Sequence, residues 1–294
     1  MANPRTPNPW AEGPKTLRLR DVTLRDGLQN LEKVLPTEAK LTLYRALVAA
    51  GVSELQVTSF VNPARVPALA DAEALWAALA GVPERLSVLV ANPRGLERAR
   101  AAGVGEVEAV VSASRTYNEK NAHRTPEQSM DEIARMAADA GAAGIRFSAA
   151  VANAFHCFFE GDIAPDHTLD MVGRLAELGI TEIGMADTTG HARPDRIWDL
   201  FDRARRLWPH VAFGGHTHDT RGRGLVNALA AVQAGAAWLD ATLAGLGGSP
   251  FTAGVGGNLS IETAAEALAG LRIDTGVDPD RVMAAGEVAA RLVA

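Results

Sequence analysis

Two histidines one residue apart, His216-Thr217-His218, close an apolar run that begins at Val211. On an extended strand the side chains at i and i+2 share a face, so both imidazoles aim at one point. Two metal ligands or an acid/base pair use that arrangement, since a neutral imidazole nitrogen is the commonest protein metal donor. An ordinary pair of strand-end histidines uses it as well. Near the start of the chain, Arg25-Asp26 adds a carboxylate beside a fixed cation. One carboxylate, two imidazoles and an amide oxygen would hold a divalent cation and leave positions open for an oxygenated substrate. No thiolate lies among these groups, which argues against a closed structural zinc site. Arg25 would place its charge where an enolate oxygen develops. This is equipment for making or breaking a carbon–carbon bond next to a carbonyl.

Such distant residues need a scaffold that brings them to one place. Short apolar or β-branched runs predict strands over 17–23, 54–59, 86–90, 107–112, 145–151, 182–186, 211–216 and 238–243. Between them helices are expected over 37–50, 71–80, 94–102, 126–140, 165–178 and 221–234, most preceded by or starting near proline and followed by glycine. Eight β/α units with short connections suggest one (β/α)₈ barrel, a TIM barrel. A doubly wound sheet would need a glycine-rich phosphate turn after its first strand, and Thr23-Leu24-Arg25-Asp26-Gly27 is not one. Residues 259–269 supply a further helix, and 278–294 an additional C-terminal helix that caps the barrel or packs on another subunit, making a homodimer plausible. Residues 1–14 read as a tail and 15–294 as one domain.

In such barrels the chemistry sits at the C-terminal ends of the strands. That rim carries Arg25, Asp26 and Gln29, then Gln56, then Ser112, then Asn153 and His156, then Asp187 and Thr188, then the two histidines and Asp219. A glycine-rich stretch, Gly245-Leu246-Gly247-Gly248-Ser249-Pro250, completes it and leads to Gly256-Gly257-Asn258.

The bulk composition narrows the class. Basic residues number 29 against 35 acidic ones, a formal charge of −6, and they are scattered rather than striped. A nucleic-acid surface, which needs clustered Lys and Arg, is not expected. A single cysteine, Cys157, excludes an intrachain disulfide. No apolar run approaches a membrane span, and residues 1–14 lack the apolar core of a secretory signal. A cytoplasmic protein is expected.

The stretches 24–30 and 216–220 resemble those of the DRE-TIM metallolyases. Thr58-Ser59-Phe60-Val61, Ala244 through Gly248, and Gly257-Asn258-Leu259 place the chain nearest the 3-hydroxy-3-methylglutaryl-CoA (HMG-CoA) lyase branch of that superfamily. The resemblance runs from about Arg18 to Gly276. It implies a (β/α)₈ barrel holding Mg or Mn through Asp26, His216, His218 and Asn258. It makes Arg25 the enolate-stabilising group and sets Asp187 near the substrate hydroxyl. An acyl-CoA thioester is the implied substrate, and Gln29, Gln56, Asn153, His156 and Thr188 are candidate contacts to it. Asn258 also has a second reading, as the N-cap of the helix that follows.

Two positions depart from the lyase pattern. Ser249 stands where the branch carries a cysteine, and Gln56 where it carries a glutamate. A thiol ionises far more readily than a serine hydroxyl, which needs a partnered base. Glutamine hydrogen-bonds but accepts no proton, and Glu54, of the same strand parity, is a weaker substitute one layer deeper. Asn153 and His156 replace small residues and a cysteine, and Cys157 reads as structural. Arg115, Lys120 and Arg124 could meet coenzyme A phosphates or line a solvated helix start. The leading expectation is a metal-dependent carbon–carbon lyase on a 3-hydroxy-3-substituted acyl-CoA, with Ser249 relaying a proton. A condensing synthase and a metal-binding pseudoenzyme are the alternatives.

Overall fold

The computed structural model describes Trp10 and residues 13–248 and 256–294. Eight parallel strands close a barrel: β1 (Arg18–Asp21), β2 (Glu54–Ser59), β3 (Arg85–Leu89), β4 (Glu106–Ser112), β5 (Arg146–Ala152), β8 (Glu182–Asp187), β9 (Ala212–Thr217) and β10 (Trp238–Ala241). Closure is explicit in the register, since Arg20 of β1 pairs with Glu54 of β2 on one side and Asp240 of β10 on the other. A small antiparallel pair, β6 (His156–Cys157) and β7 (Gly161–Asp162), decorates the connection after β5. Nothing in the sequence pattern announces it.

Helices follow the strands: α1 (Thr37–Ala49), α2 (Ala72–Ala78), α3 (Pro93–Ala101), α4 (Arg115–Ala122), α5 (Pro126–Ala142), α6 (Pro165–Glu177), α7 (Pro194–Leu207), α8 (Gly224–Gln233), α9 (Ile261–Gly270) and α10 (Pro279–Val293). Their starts show ordinary capping chemistry. Thr125 and Gln128 form a reciprocal capping box on α5, and Asn92 caps α3 through Gly95 N–H. The α4 and α7 segments were not among the helices expected from the pattern. The C-terminal α10 packs on α1 and α9 of its own chain, with Asp278 N–H donating to Ala50 O at 2.8 Å. It therefore closes the helical ring. Among the described residues no helix is long and apolar enough to cross a membrane.

Apolar burial lies between strands and helices, where Leu43, Leu47, Leu55, Val57, Leu75, Ile133 and Phe201 are almost wholly inaccessible. The inside of the barrel is built differently. Inward positions near the strand starts carry Arg18, Glu54, Arg85, Glu106 and Glu182, all joined by ion pairs. One layer up, Arg20 pairs with Asp240 and Glu108 at 2.7 Å each. Barrel interiors more often hold branched apolar side chains in layers. Here the layers are charged, and each ion is kept by opposite partners that offset its desolvation. The Trp238 indole crosses this interior against Gly214, where an added Cβ would stand 1.8 Å from the ring.

Candidate active site

The first strand does not run on through residue 23 as its pattern suggests. After Asp21 the chain winds into a single π-helical turn, Thr23–Gly27, with Gly27 N–H bonded to Val22 O at 3.1 Å and Leu28 N–H to Thr23 O at 3.0 Å. Such wide turns are rare and cluster at functional sites. This one swings Arg25 and Asp26 over the barrel mouth, where Arg25 Nη1 donates to Asp26 Oδ1. Gln29 Nε2 donates to the same oxygen at 3.1 Å.

The histidines arrive at the end of β9. His218 Nδ1 lies 2.6 Å from Thr188 O, so that nitrogen carries the proton and Nε2 is left with its lone pair. His216 Nδ1 lies 3.1 Å from Asp240 Oδ2, which fixes the same tautomer. The two Nε2 atoms then face each other at 3.4 Å. Two lone pairs pointed at one spot repel unless a proton is shared between them or a cation stands there. Ligand atoms from Asp26, His216 and His218 lie within 4.8 Å of one another.

Asn258 lies beside this set and is not the cap of the following helix. The cap of α9 is Ser260, whose side chain accepts from Thr263 N–H. Asn258 instead bridges to His218 as a short antiparallel pair. Its Nδ2 donates to Asp26 Oδ2 at 2.7 Å and to Leu246 O at 2.9 Å. Its Oδ1 is buried with no hydrogen-bond partner. A buried acceptor left unpaired is costly, and a cation beside the two histidines would satisfy it. The close approach of the Leu246-Gly247 turn needs glycine: Gly247 has φ +108, and a Cβ there would stand 2.4 Å from Asn258 Nδ2.

The electrostatics prepare the donors. Burial pushes the Asp26 carboxyl up, but Arg25, His216 and His218 outweigh it and hold the group below its usual range. Burial and the neighbouring His216 push His218 down to about 4, so it is neutral at pH 7. Burial lowers His216 too, yet the hydrogen bond to Asp240 and the charges of Asp26 and Asp240 raise it overall. Carboxylate, amide oxygen and two imidazoles suit a divalent cation that keeps open coordination positions.

Other expected site residues go elsewhere. Asp187 is wholly buried, and its carboxylate accepts Ala192 N–H at 3.2 Å and Asn227 Nδ2 at 3.1 Å. It staples the turn before α7 and is not part of the metal cluster; strand parity turns it outward, since Glu182 on the same strand faces in. Asn153 is also fully buried, at φ +52, with Oδ1 accepting from Ser112 Oγ and Nδ2 donating to His156 O. Asparagine tolerates that left-handed conformation, so Asn153 is a turn residue. The His156 ring meets Thr189 Oγ1 at 3.0 Å and stacks on His191 at 5.2 Å. It lines a side cavity of about 260 Å³ with Asp162, Arg193, Arg196 and Arg223 rather than joining the triad. Thr188 holds His218 through its carbonyl and Asn153 N–H through Oγ1. Gln56, fully buried, accepts from Arg25 Nε and donates to Glu108 Oε1. Glu54 pairs with Arg18 and Arg85 at the far end and cannot replace it. Arg115 and Arg124 pair with Glu127 and Glu132 on the surface, and Lys120 sits over Phe159. Ser249 lies outside the described residues.

Comparison with known proteins places the chain in a family. The family model described as HMGL-like matches residues 16–289. The chain belongs to the HMGL-like family. Mitochondrial hydroxymethylglutaryl-CoA lyase from Mus musculus is 35% identical over 275 residues, covering 93% of this HMGL-like chain and 85% of the mouse protein. (R)-citramalyl-CoA lyase from Chloroflexus aurantiacus is 36% identical, covering 91% of this chain and 88% of its own. A crystal structure of the HMG-CoA lyase from Bacillus subtilis superposes with a TM-score of 0.91 at 32% identity, covering 96% of this chain and 95% of that one. An Acinetobacter baumannii HMG-CoA lyase in complex with coenzyme A and 3-methylmalate superposes at 0.90 and 32%, covering 95% and 92%.

The HMGL-like chain also holds residues that the strand-end reading passed over. Arg20, Glu108 and Asp240 stand behind the site and connect its parts. The signal was present as alternation, since Arg18/Arg20 and Glu106/Glu108 are charged pairs at i, i+2 on buried strands.

Proposed function

We propose that the protein is a divalent-metal-dependent carbon–carbon lyase acting on a 3-hydroxy-3-substituted acyl-CoA, with Mg or Mn held by Asp26, His216, His218 and Asn258. One observation carries the reading: two imidazole lone pairs and an unpaired buried amide oxygen converge beside an ionised carboxylate. The relatives named above as lyases of HMG-CoA and citramalyl-CoA support the substrate class. When bound, the cation supplies Lewis acidity to the substrate's hydroxyl and carbonyl oxygens.

The chain's own residues do the rest. The hydroxyl would give its proton to solvent water at the barrel mouth, the bond between carbons 2 and 3 breaks, and carbon 3 becomes a ketone. The electron pair passes to the thioester enolate, which then takes a proton. Arg25 is held at Nε by Gln56 and at Nη1 by Asp26, and we assign this fixed guanidinium the role of preorganised donor to the developing oxyanion. Ser249 stands where the branch carries a thiol, and we assign it the relay of a solvent proton to the enolate carbon.

The decisive experiment incubates the purified protein with 3-hydroxy-3-methylglutaryl-CoA and citramalyl-CoA and measures acetyl-CoA release. Release with Mg or Mn that EDTA abolishes is the expected outcome. Cleavage indifferent to EDTA, or release of free coenzyme A only from an acyl-CoA with a keto acid, overturns the reading. Ser249→Cys should raise turnover of 3-hydroxy-3-methylglutaryl-CoA, because a thiol titrates closer to neutral pH.

A further inference from the structure

Behind the metal cluster the barrel holds an unbroken circuit of polar contacts. Arg25 Nε donates to Gln56 Oε1, and Gln56 Nε2 donates to Glu108 Oε1 at 3.0 Å. Glu108 Oε2 accepts from Arg20 Nη1 at 2.7 Å. Arg20 Nε and Nη2 grip the two oxygens of Asp240 at 2.7 and 2.9 Å. Asp240 Oδ2 then holds His216 Nδ1 at 3.1 Å. The circuit leaves the site at a metal-facing histidine and returns to it at the enolate-facing arginine. Arg20, Gln56, Glu108 and Asp240 are each 5% exposed or less, so no water substitutes for a lost link.

The chemistry of each link sets a direction. A Gln56 amide turned the other way would put its NH₂ against a guanidinium and its oxygen against a carboxylate. Its sense is therefore fixed, and Glu108 polarises the amide oxygen toward Arg25. Arg20 is a rigid planar fork. With one carboxylate on Nη1 and another across Nε and Nη2, it fixes the spacing and angle between Glu108 and Asp240. We propose that Arg20 is a positioning residue for both halves of the site. Through Asp240 it sets the ring plane and tautomer of His216, and through Glu108 and Gln56 it aims Arg25. What those two groups do rests on the lyase reading above.

The test separates the two arms. Arg20→Lys keeps the charge and loses the fork. Glu108→Gln keeps an acceptor for Arg20 but removes the charge behind Gln56. Metal-free protein is titrated with Mn²⁺ by EPR, and kcat and KM are measured on the acyl-CoA substrate that the wild type cleaves. Arg20→Lys should weaken Mn²⁺ binding about 10- to 100-fold and lower kcat at least tenfold with KM nearly unchanged. Glu108→Gln should lower kcat about tenfold while Mn²⁺ affinity stays within about threefold. Native Mn²⁺ affinity in a folded Arg20→Lys overturns the proposal. So does equal loss of metal affinity in both variants, which would mark a general loosening. If Arg20→Lys does not fold, Glu108→Gln still decides: unchanged kcat overturns the Arg25 arm. If the wild type cleaves no acyl-CoA, the lyase reading fails, and the Mn²⁺ titration still decides the His216 arm.

Discussion

At the residue scale the site turns on Asn258, whose two amide ends do different work. Nδ2 ties Asp26 to the Leu246 carbonyl, while Oδ1 is left unpaired beside the histidines. Asn258→Ala should weaken Mn²⁺ binding about tenfold, because the proposed ligand and its tie to Asp26 would be lost together. The metal-free protein should also lose about 1–3 kcal/mol, the usual cost of stranding buried hydrogen-bonding groups. Calorimetry with and without Mn²⁺ checks both, and unaltered Mn²⁺ affinity would remove Asn258 from the ligand set. His216, His218 and Asp26 were legible because residue type and i, i+2 spacing are local properties. Gln56, Asn153 and His156 were assigned to the substrate from their place at strand ends. That place says nothing of which neighbour a side chain meets. Glu108 and Asp240 reach Arg20 across 88 and 220 residues of sequence, and no local pattern encodes such a pairing.

At the element scale the hinge between β1 and its π turn holds a carboxyl under strain of burial. Asp21 is fully buried and pushed up to about 7, by burial first, with Glu262 and Asp240 adding to it against hydrogen bonds from Thr23. The folded protein therefore binds this proton more tightly than the unfolded chain, whose Asp titrates near 4. Between about pH 4 and pH 7 the folded state holds the extra proton, so the contribution of Asp21 to stability falls as pH rises through that window. Asp21→Asn should raise the melting temperature relative to wild type by several degrees at pH 8 and by much less at pH 5. A difference that is flat with pH would show that Asp21 does not titrate there. Elements themselves were legible where proline opens a helix and glycine follows it. In α7 the apolar residues Ile197, Leu200, Phe201 and Ala204 keep helical spacing. However, Trp208-Pro209 follows in place of glycine, and the helix went unmarked because only the glycine stop was read, although proline past the end marks one as well. The π turn had no signature at all, since its residues also suit a strand end.

At the scale of the whole molecule, the two ends of the barrel use the same residue types for opposite purposes. A cavity of about 630 Å³ lies at the strand starts between Arg85, Glu106, Arg146 and Glu182. The metal cluster lies at the strand ends, the face on which barrel enzymes place their chemistry. Two glutamates on one strand sample both regions. Glu106 takes Arg85 at 2.6 Å and Arg146 at 2.5 Å in the lower ionic layer. Glu108, one inward position higher, takes Arg20 and Gln56. Identical substitutions should therefore have different consequences. Removing one partner of a buried pair costs about 3–5 kcal/mol where the other charge is left stranded. Arg85 is partly exposed and keeps Glu182 and Glu54, so Glu106→Gln should cost less, about 1–3 kcal/mol. Its melting temperature should drop by several degrees, with kcat and Mn²⁺ affinity unchanged, because Glu106 pairs with Arg85 and Arg146, and neither touches Arg25, His216 or a residue bonded to them. Glu108→Gln should instead lower kcat, as its charge stands directly behind the Gln56–Arg25 link. Thermal melts paired with steady-state kinetics on both variants make the comparison. A Glu106→Gln protein with native melting and lost turnover would mean that the lower ionic layer does act on the site, along the longer path from Arg85 through Glu182 and Arg18 to Trp238, whose Nε1 donates to Asp240 at 3.2 Å.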